Sequence, residues 1–163
     1  MSLKPEIAAP GGNVNAAIPG KDYRRMPGTG EASAQVAGVA ALVRQRMATD
    51  PMFAGMSDED KSALVSNFLM GTAHPIVDPS AADGTFWSPR WVGAGMVDAL
   101  AATTSSVYPS VVGASHPSRP KAELGESASG WTLQVRVTHP SDTPHTYTLA
   151  GHAPSSTTYG ATA

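Results

Sequence analysis

Residues 28–43, Gly-Thr-Gly-Glu-Ala-Ser-Ala-Gln-Val-Ala-Gly-Val-Ala-Ala-Leu-Val, constrain the fold more than any other stretch of this chain. Gly28 and Gly30 flank a tight turn and are read as taking backbone angles closed to other residues. Thr29 is read as a helix N-cap. Glu31 places negative charge in the first turn, where the macrodipole favours it. Val36, Val39, Ala40, Val43 and Met47 then recur as one helical face. Ala37, Gly38 and Ala41 lie opposite, so the helix is apolar nearly all round as far as Arg44. Such a helix is expected inside a domain. A turn entering a buried helix also suits the display of one reactive group, because the helix N-terminus stabilises developing negative charge.

The stretch resembles the nucleophile motif of the subtilisin-like serine peptidases, Gly-Thr-Ser-Met-Ala-Ser/Thr-Pro-x-Val-Ala-Gly. Gly28, Thr29, Ala32, Ser33, Val36, Ala37 and Gly38 match as they stand. Glu31 replaces the usual Met and Ala34 the usual Pro. Gly30 occupies the position of the family's nucleophilic serine. Glycine has no side chain and cannot attack a carbonyl. Ser33 lies one helical turn further in, where the family has a non-catalytic Ser or Thr.

Ahead of this motif, Lys4-Pro5-Glu6-Ile7-Ala8-Ala9-Pro10-Gly11 is similar to the Lys-Pro-Asp-Ile/Val-x-Ala-Pro-Gly segment that precedes the nucleophile in the same family. Its residues read as a short buried strand stopped by Pro10-Gly11. Asn13 to Pro27, rich in Gly, Pro and Asn, reads as a loop, and in the family this stretch approaches the active site. The chain opens Met1-Ser2-Leu3 and runs directly into the strand, which reads as an expression start on a fragment.

Composition narrows the function classes. The 163 residues suit one domain, or one and part of another. Net charge is −2 and no basic run suggests nucleic acid. No apolar run is long enough to span a bilayer and no signal peptide is visible. Absence of cysteine rules out disulfides, Cys-ligated zinc and a cysteine nucleophile.

Beyond the first helix, Asp50-Pro51 breaks the pattern. Ser57 then caps a second helix whose first turn carries Asp58, Glu59 and Asp60 and whose apolar stripe is Leu64, Val65, Phe68 and Leu69. Leu69-Met70-Gly71-Thr72-Ala73-His74-Pro75 resembles the Leu-Met-Ser-Thr-Ala-Lys-Pro segment of the larger cell-envelope subtilases. Phe86 to Ala99 contains Ser88-Pro89-Arg90-Trp91-Val92-Gly93-Ala94-Gly95-Met96-Val97-Asp98-Ala99, similar to Ser-Pro-Arg-x-x-Gly-Ala-Gly-Leu-Val-Asn/Asp-Ala of those enzymes. There the glycines permit a close loop before a short helix, Val97 to Ala102, the last helix of the catalytic domain. The sub-group is the lactocepin and C5a-peptidase type, cell-surface endopeptidases with a fibronectin-III-like domain after the protease.

Composition shifts after Ala102. Residues 103–120 are rich in Ser, Val and Pro and suit a domain junction. Lys121 to Glu126 reads as a strand. Trp131 to Thr138 alternates apolar and polar residues and reads as a half-buried strand. His145 to Leu149 reads as a third, after a turn at Asp142-Thr143-Pro144. These resemble the start of the fibronectin-III-like module, and three strands are fewer than the about seven that close such a sandwich. Ser155 to Ala163 is expected to be disordered.

The expected fold is therefore α/β. Residues 1–104 form the C-terminal part of a subtilisin-like parallel-sheet domain, 105–120 a linker, and 121–163 an incomplete all-β segment with a disordered tail.

The resemblance implies a secreted or cell-surface bacterial serine endopeptidase acting on peptide or protein substrates. In this family the catalytic Asp and His and the oxyanion asparagine lie upstream of the serine. His74, His116, His139, His145 and His152 all follow the nucleophile position, so none corresponds to the family base. The site positions carried over are Gly30, where the serine is absent, and Thr29, beside the oxyanion hole. A Ser33–His74–Asp78 site can be drawn, but Ser33 is expected to point into a packed helix. His74, Asp78 and Asp83 are irregularly spaced for a metal, and a solvated loop is the expectation; no metal or cofactor is expected. Two readings stand: part of an endopeptidase, or a non-catalytic pseudo-protease or adhesion and peptide-binding module. Because the chain carries only the last part of the sheet, the helix from Ala32 to Met47 should lack cover. Self-association, or partial disorder around residues 12–27, is expected from that.

Overall fold

In a computed structural model of the chain, residues 4–81, 84–113, 119–123, 129–139, 144, 146–148 and 150–151 are described. Two strands, β1 (Val14–Ile18) and β2 (Asp22–Met26), precede a long helix, α1 (Thr29–Thr49). A 3-10 turn (Pro51–Phe53) leads to α2 (Asp58–Gly71). Two short helices follow, α3 (Pro89–Val92) and α4 (Ala99–Thr104), then strands β3 (Tyr108–Val111) and β4 (Val135–Thr138).

The core forms where the C-terminal half of α1 meets α2, α4 and β3. Val43, Met47, Phe53, Leu64, Phe68, Leu69 and Ala102 are buried together. Phe68 is fully buried and meets Phe53 edge-on at 5.8 Å between ring centroids and Tyr108 at 5.5 Å. Such contacts add to the area buried by the rings themselves. Arg46 is drawn into the same cluster. Its guanidinium lies 5.5 Å from the Phe53 ring and 5.6 Å from the Phe68 ring, and donates to Asp50 and to the Ser105 carbonyl. Asn67, fully buried, donates to the Pro109 carbonyl at 2.8 Å, which ties α2 to β3.

The local signals of the second helix act as expected. The Ser57 hydroxyl accepts from the Asp60 N–H at 3.1 Å, and the three acidic residues fill the first turn. Leu64, Phe68 and Leu69 are buried, with Val65 half-buried beside them. Asp50 ends α1 in an extended conformation, and its carboxylate caps the following turn by accepting from Met52 N–H.

Three expectations are corrected. Gly28, not Thr29, is the N-cap of α1; Thr29 is the first helical residue, and no side chain caps this end. Gly28 is extended at φ 169° and Gly30 is helical, so neither uses a left-handed backbone. The 13–27 loop folds as a hairpin with Val14 opposite Met26 and Ile18 opposite Asp22, which is order where loop or partial disorder was expected. Its turn is made by left-handed backbone at Gly20 and at Lys21, a residue type that carries no turn signal. The expected lack of cover over α1 is present: Ala34, Ala37, Gly38, Ala41 and Leu42 are exposed, because the packing elements all lie on one side.

Parallel pairing among the described residues is confined to one bridge, Ala8 with Met96; both two-stranded sheets are antiparallel. The segment read as a short buried strand is instead only partly buried and forms an isolated bridge, bonded through Ala8 and Glu6 to residues 94–97. Parallel strands need crossovers and neighbours on both faces, which one strand does not supply. Within the stretch read as a linker, β3 packs on α2 and pairs with β4, Tyr108 opposite Thr138 and Val111 opposite Val135. Structure covers only the last part of the Trp131–Thr138 strand, from Val135. Leu124 to Glu126, the Asp142-Thr143 turn, His145, Leu149 and the tail 155–163 lie outside the described residues.

Candidate functional site

The N-terminus of α1 is placed by a backbone clasp. Gly28 N–H donates to the Gly11 carbonyl at 2.8 Å, closing the base of the hairpin directly against the helix start. Gly11 must be glycine: a Cβ there would lie 2.4 Å from the Gly28 carbonyl oxygen. On the far side, Gln35 donates to the Pro10 carbonyl. Segment 5–11 is therefore bonded to both ends of the first turns of α1.

Thr29, Gly30 and Glu31 occupy that first turn, where N–H groups have no partner within the helix. Aligned peptide dipoles make the end partly positive. A Cβ built on Gly30 meets nothing within 4 Å, so the position stands open. The Glu31 carboxylate folds over the helix start, 2.6 Å from where a Gly28 Cβ would lie. Beside this turn a groove of about 410 Å³ runs between segment 5–9 and α1, walled by Ile7, Ala8, Thr29, Ser33, Val36 and Trp91.

The side chains that could be drawn as a triad are not assembled. Ser33 Oγ donates to the Gly30 carbonyl at 2.8 Å, a back-bond along its own helix, although the residue is exposed rather than packed inward. Asp78 accepts from the N–H and hydroxyl of Ser80. His74 Nε2 lies 2.7 Å from Asp98 Oδ2. Asp98 also caps α4, accepting from Ala101 N–H at 2.8 Å; that bond, then the bond to His74, holds its carboxyl below the ordinary carboxylate range. Among the described residues no three His, Asp or Glu side chains are grouped to hold a metal, and Asp83 lies outside them.

The His74–Asp98 pair escaped sequence reasoning. Asp98 immediately before an apolar helix is a legible N-cap, but its partner 24 residues earlier leaves no periodic trace. The loop between them was legible. A Cβ on Gly93, at φ 60°, would meet the Glu6 carbonyl at 2.3 Å, and one on Gly95, at φ 121°, would meet the His74 carbonyl at 2.1 Å. Both glycines are needed for the close approach of three backbone segments.

Two curated relatives are similar to this chain. C5a peptidase from Streptococcus pyogenes is 28% identical over 143 residues, 88% of this chain and 12% of that protein. PII-type proteinase from Lacticaseibacillus paracasei is 39% identical over 108 residues, 63% of this chain and 6% of that protein. The chain thus spans about an eighth or less of the length of these relatives. Among solved structures, the patellamide maturation protease PatA aligns with a TM-score of 0.46 at 28% identity, over 60% of this chain and 32% of PatA. The family model for subtilases, peptidase family S8, matches residues 1–122, from the segment before the hairpin through both sides of α1 and past β3. With the glycine-flanked first turn of α1 inside that match, the chain belongs to the subtilase family.

Proposed function

We propose that this chain is the nucleophile-side part of the catalytic domain of a bacterial, secreted or cell-surface subtilisin-like endopeptidase that acts on peptides or proteins. The observation that carries this reading is Gly30 in the open first turn of α1. It stands at the family's serine position, in ordinary helical backbone, with space for a side chain. A serine there would place its hydroxyl at the positive end of the helix. The N–H of residue 30 would donate to the oxyanion, with Thr29 beside it. Upstream residues outside the matched segments would supply the Asp, His and oxyanion asparagine.

As it stands the chain is inactive in this reading, since Gly30 offers no nucleophile and His74 is engaged with Asp98 rather than with Ser33. The specific feature favouring a second reading, a non-catalytic peptide-binding or adhesion module, is the same Gly30. Residues 1–104 belong to the catalytic domain in this proposal, 105–120 to the junction, and 121–163 to the start of a fibronectin-III-like module. Self-association of the isolated chain through the exposed side of α1 is part of the proposal.

Supplying the upstream part and making Gly30→Ser tests it. Labelling by a fluorophosphonate probe should rise by about 10³-fold or more over Gly30. Glu31→Met belongs in the same experiment, because a carboxylate beside the helix start opposes a developing oxyanion. No labelling of either variant would leave the non-catalytic reading as the better one.

A further inference from the structure

Segment 5–11 holds the start of α1, yet no residue in it is buried, although Ile7 packs against the edge of the core. Hydrogen bonds and charge keep it in place. Ala94 N–H donates to the Glu6 carbonyl at 2.9 Å, Ala8 N–H donates to the Gly95 carbonyl at 2.8 Å, and the Gly11 carbonyl accepts from Gly28 N–H at 2.8 Å. The Glu6 side chain supplies the charge. Its Oε1 gathers the ammonium of Lys4, the ammonium of Lys121 at 3.7 Å and the guanidinium of Arg119 at 3.9 Å. Asp50 and Asp98, by comparison, each pair with one basic side chain among the described residues, Arg46 and His74.

Arg119 and Lys121 come from far along the chain. Segment 119–123 follows β3, and the Arg119 carbonyl accepts from Val111 N–H at 3.2 Å. Apolar packing does not fill the space beneath this segment: a cavity of about 320 Å³ lies among Pro5, Met70, Pro89, Gly93, Pro120 and Ala122. Its hold on segment 5–11 is ionic. The Lys121 side chain is 14% exposed and that of Glu6 26%, so this pair is screened less than one at the open surface. Lys121 also reaches Glu123 at 3.2 Å. Without the Glu6 charge, Lys4, Arg119 and Lys121 would repel one another, with Glu123 left to offset them.

We infer that Glu6 is a positioning residue: by tying segment 119–121 to segment 5–11, its carboxylate fixes the Gly11 carbonyl that receives Gly28 N–H, and so sets the first turn of α1. The inference rests on the proposed function in taking that turn as the serine site; the tie itself does not require it. Gly11 lies five residues past Glu6, and Ala8 is bonded to Gly95 between them, so a shift at Glu6 passes along one short, bonded segment. Gly11 has no side chain and Pro10 is exposed, so neither anchors the clasp by packing.

Amide hydrogen exchange in the 163-residue chain, followed by NMR, tests this. The Gly28 amide reads the clasp, and the Phe68 and Leu69 amides within α2 read global opening. Glu6→Gln should speed exchange at Gly28 about fivefold more than at Phe68 and Leu69. Glu6→Asp, which keeps the charge, should recover part of this. Lys121→Gln should act in the same direction by less, and adding it to Glu6→Gln should change little, since both cut one network. High salt should narrow the gap between the parent chain and Glu6→Gln. Arg136→Gln, which removes a cation from exposed β4, should leave Gly28 unchanged. Equal acceleration at Gly28 and in α2 would make Glu6 a stabilising residue only and overturns the inference, as does an unchanged Gly28 amide or the same response in Arg136→Gln. In the reconstituted Gly30→Ser protein, Glu6→Gln should slow fluorophosphonate labelling; labelling at an unchanged rate overturns this inference alone and leaves the proposed function standing. If Gly30→Ser is not labelled even with Glu6 intact, the proposed function fails, while exchange at Gly28 still decides this inference.

Discussion

The two ends of α1 live in different environments. Its C-terminal half is packed: Val43 and Met47 are 1% exposed, and Arg46 bonds to Asp50, Met52 and Ser105. Its N-terminal half is open, with Ala34, Ala37 and Gly38 exposed and the only uncapped start among the helices described. One continuous helix therefore joins an anchor to a platform. Burial of large side chains fixes the anchor. The platform is held by backbone bonds, Gly28 to Gly11 and Gln35 to Pro10, which leave the first-turn amides exposed. In the proposed function this openness leaves room for a substrate, since side-chain packing would occupy that space.

Breaking the anchor should have the largest effect. Phe68→Ala removes a fully buried ring that touches Phe53 and Tyr108. It should cost about 4 kcal/mol, which is a large share of a marginal domain's stability. Urea denaturation of the two proteins would measure it, and a loss below about 1 kcal/mol would mean that the anchor is not the stabilising half.

Arg46→Ala should come next, at about 2 kcal/mol, since it deletes two ring contacts and the bonds to Asp50 and Ser105. Arg46→Lys should recover only part of this, because an ammonium cannot bridge the same partners with a planar fork. Equal stability of the Lys variant would assign the effect to charge alone.

Acid should loosen both ends by a smaller amount. Burial raises the pKa of Glu6, but the hydrogen bond and charge of Lys4, with Lys121, pull it below its ordinary value of 4.5. Asp50 is held below its ordinary 3.8 by Met52 N–H and then by Arg46. A folded pKa below the unfolded one means stability that is present above the ordinary value and lost as pH falls through the folded one. Melting temperature should therefore fall as pH drops below about 4.5, and Glu6→Gln should flatten part of that slope. A melting temperature that rises through this window would contradict the pairing of Glu6.

The smallest change should be a gain. A Cβ on Gly38 meets nothing within 4 Å, and Gly38 lies mid-helix on the exposed side. Gly38→Ala should stabilise the isolated chain by about 1 kcal/mol through helix propensity. Destabilisation in the thermal melt would mean that this face is covered in solution, which would favour the self-association proposed above.

Short-range chemistry was legible throughout. Ser57 with three acids in the next turn starts α2, Asp50-Pro51 ends α1, and Gly93 and Gly95 mark a close loop, because each of these acts within a few residues of itself. The hairpin was read as a loop: Pro19-Gly20 marks the turn, but Lys21, which also takes left-handed backbone there, has no preference for it. Thr29 was read as a cap because hydroxyls cap helices, yet the Gly28–Gly11 bond moves the helix start back by one residue. The glycine at position 30, by contrast, needed no structure to be seen.

By itself, then, the sequence determined the two long helices, the break between them, the family resemblance and the glycine at residue 30, all encoded by neighbours along the chain. Only the tertiary structure decided which side of α1 is covered, that His74 pairs with Asp98, that β3 joins the α2 core, and that residues 14–26 form a hairpin closed against the start of α1. Those outcomes depend on segments tens of residues apart competing for the same surfaces, and no local pattern records which of them wins.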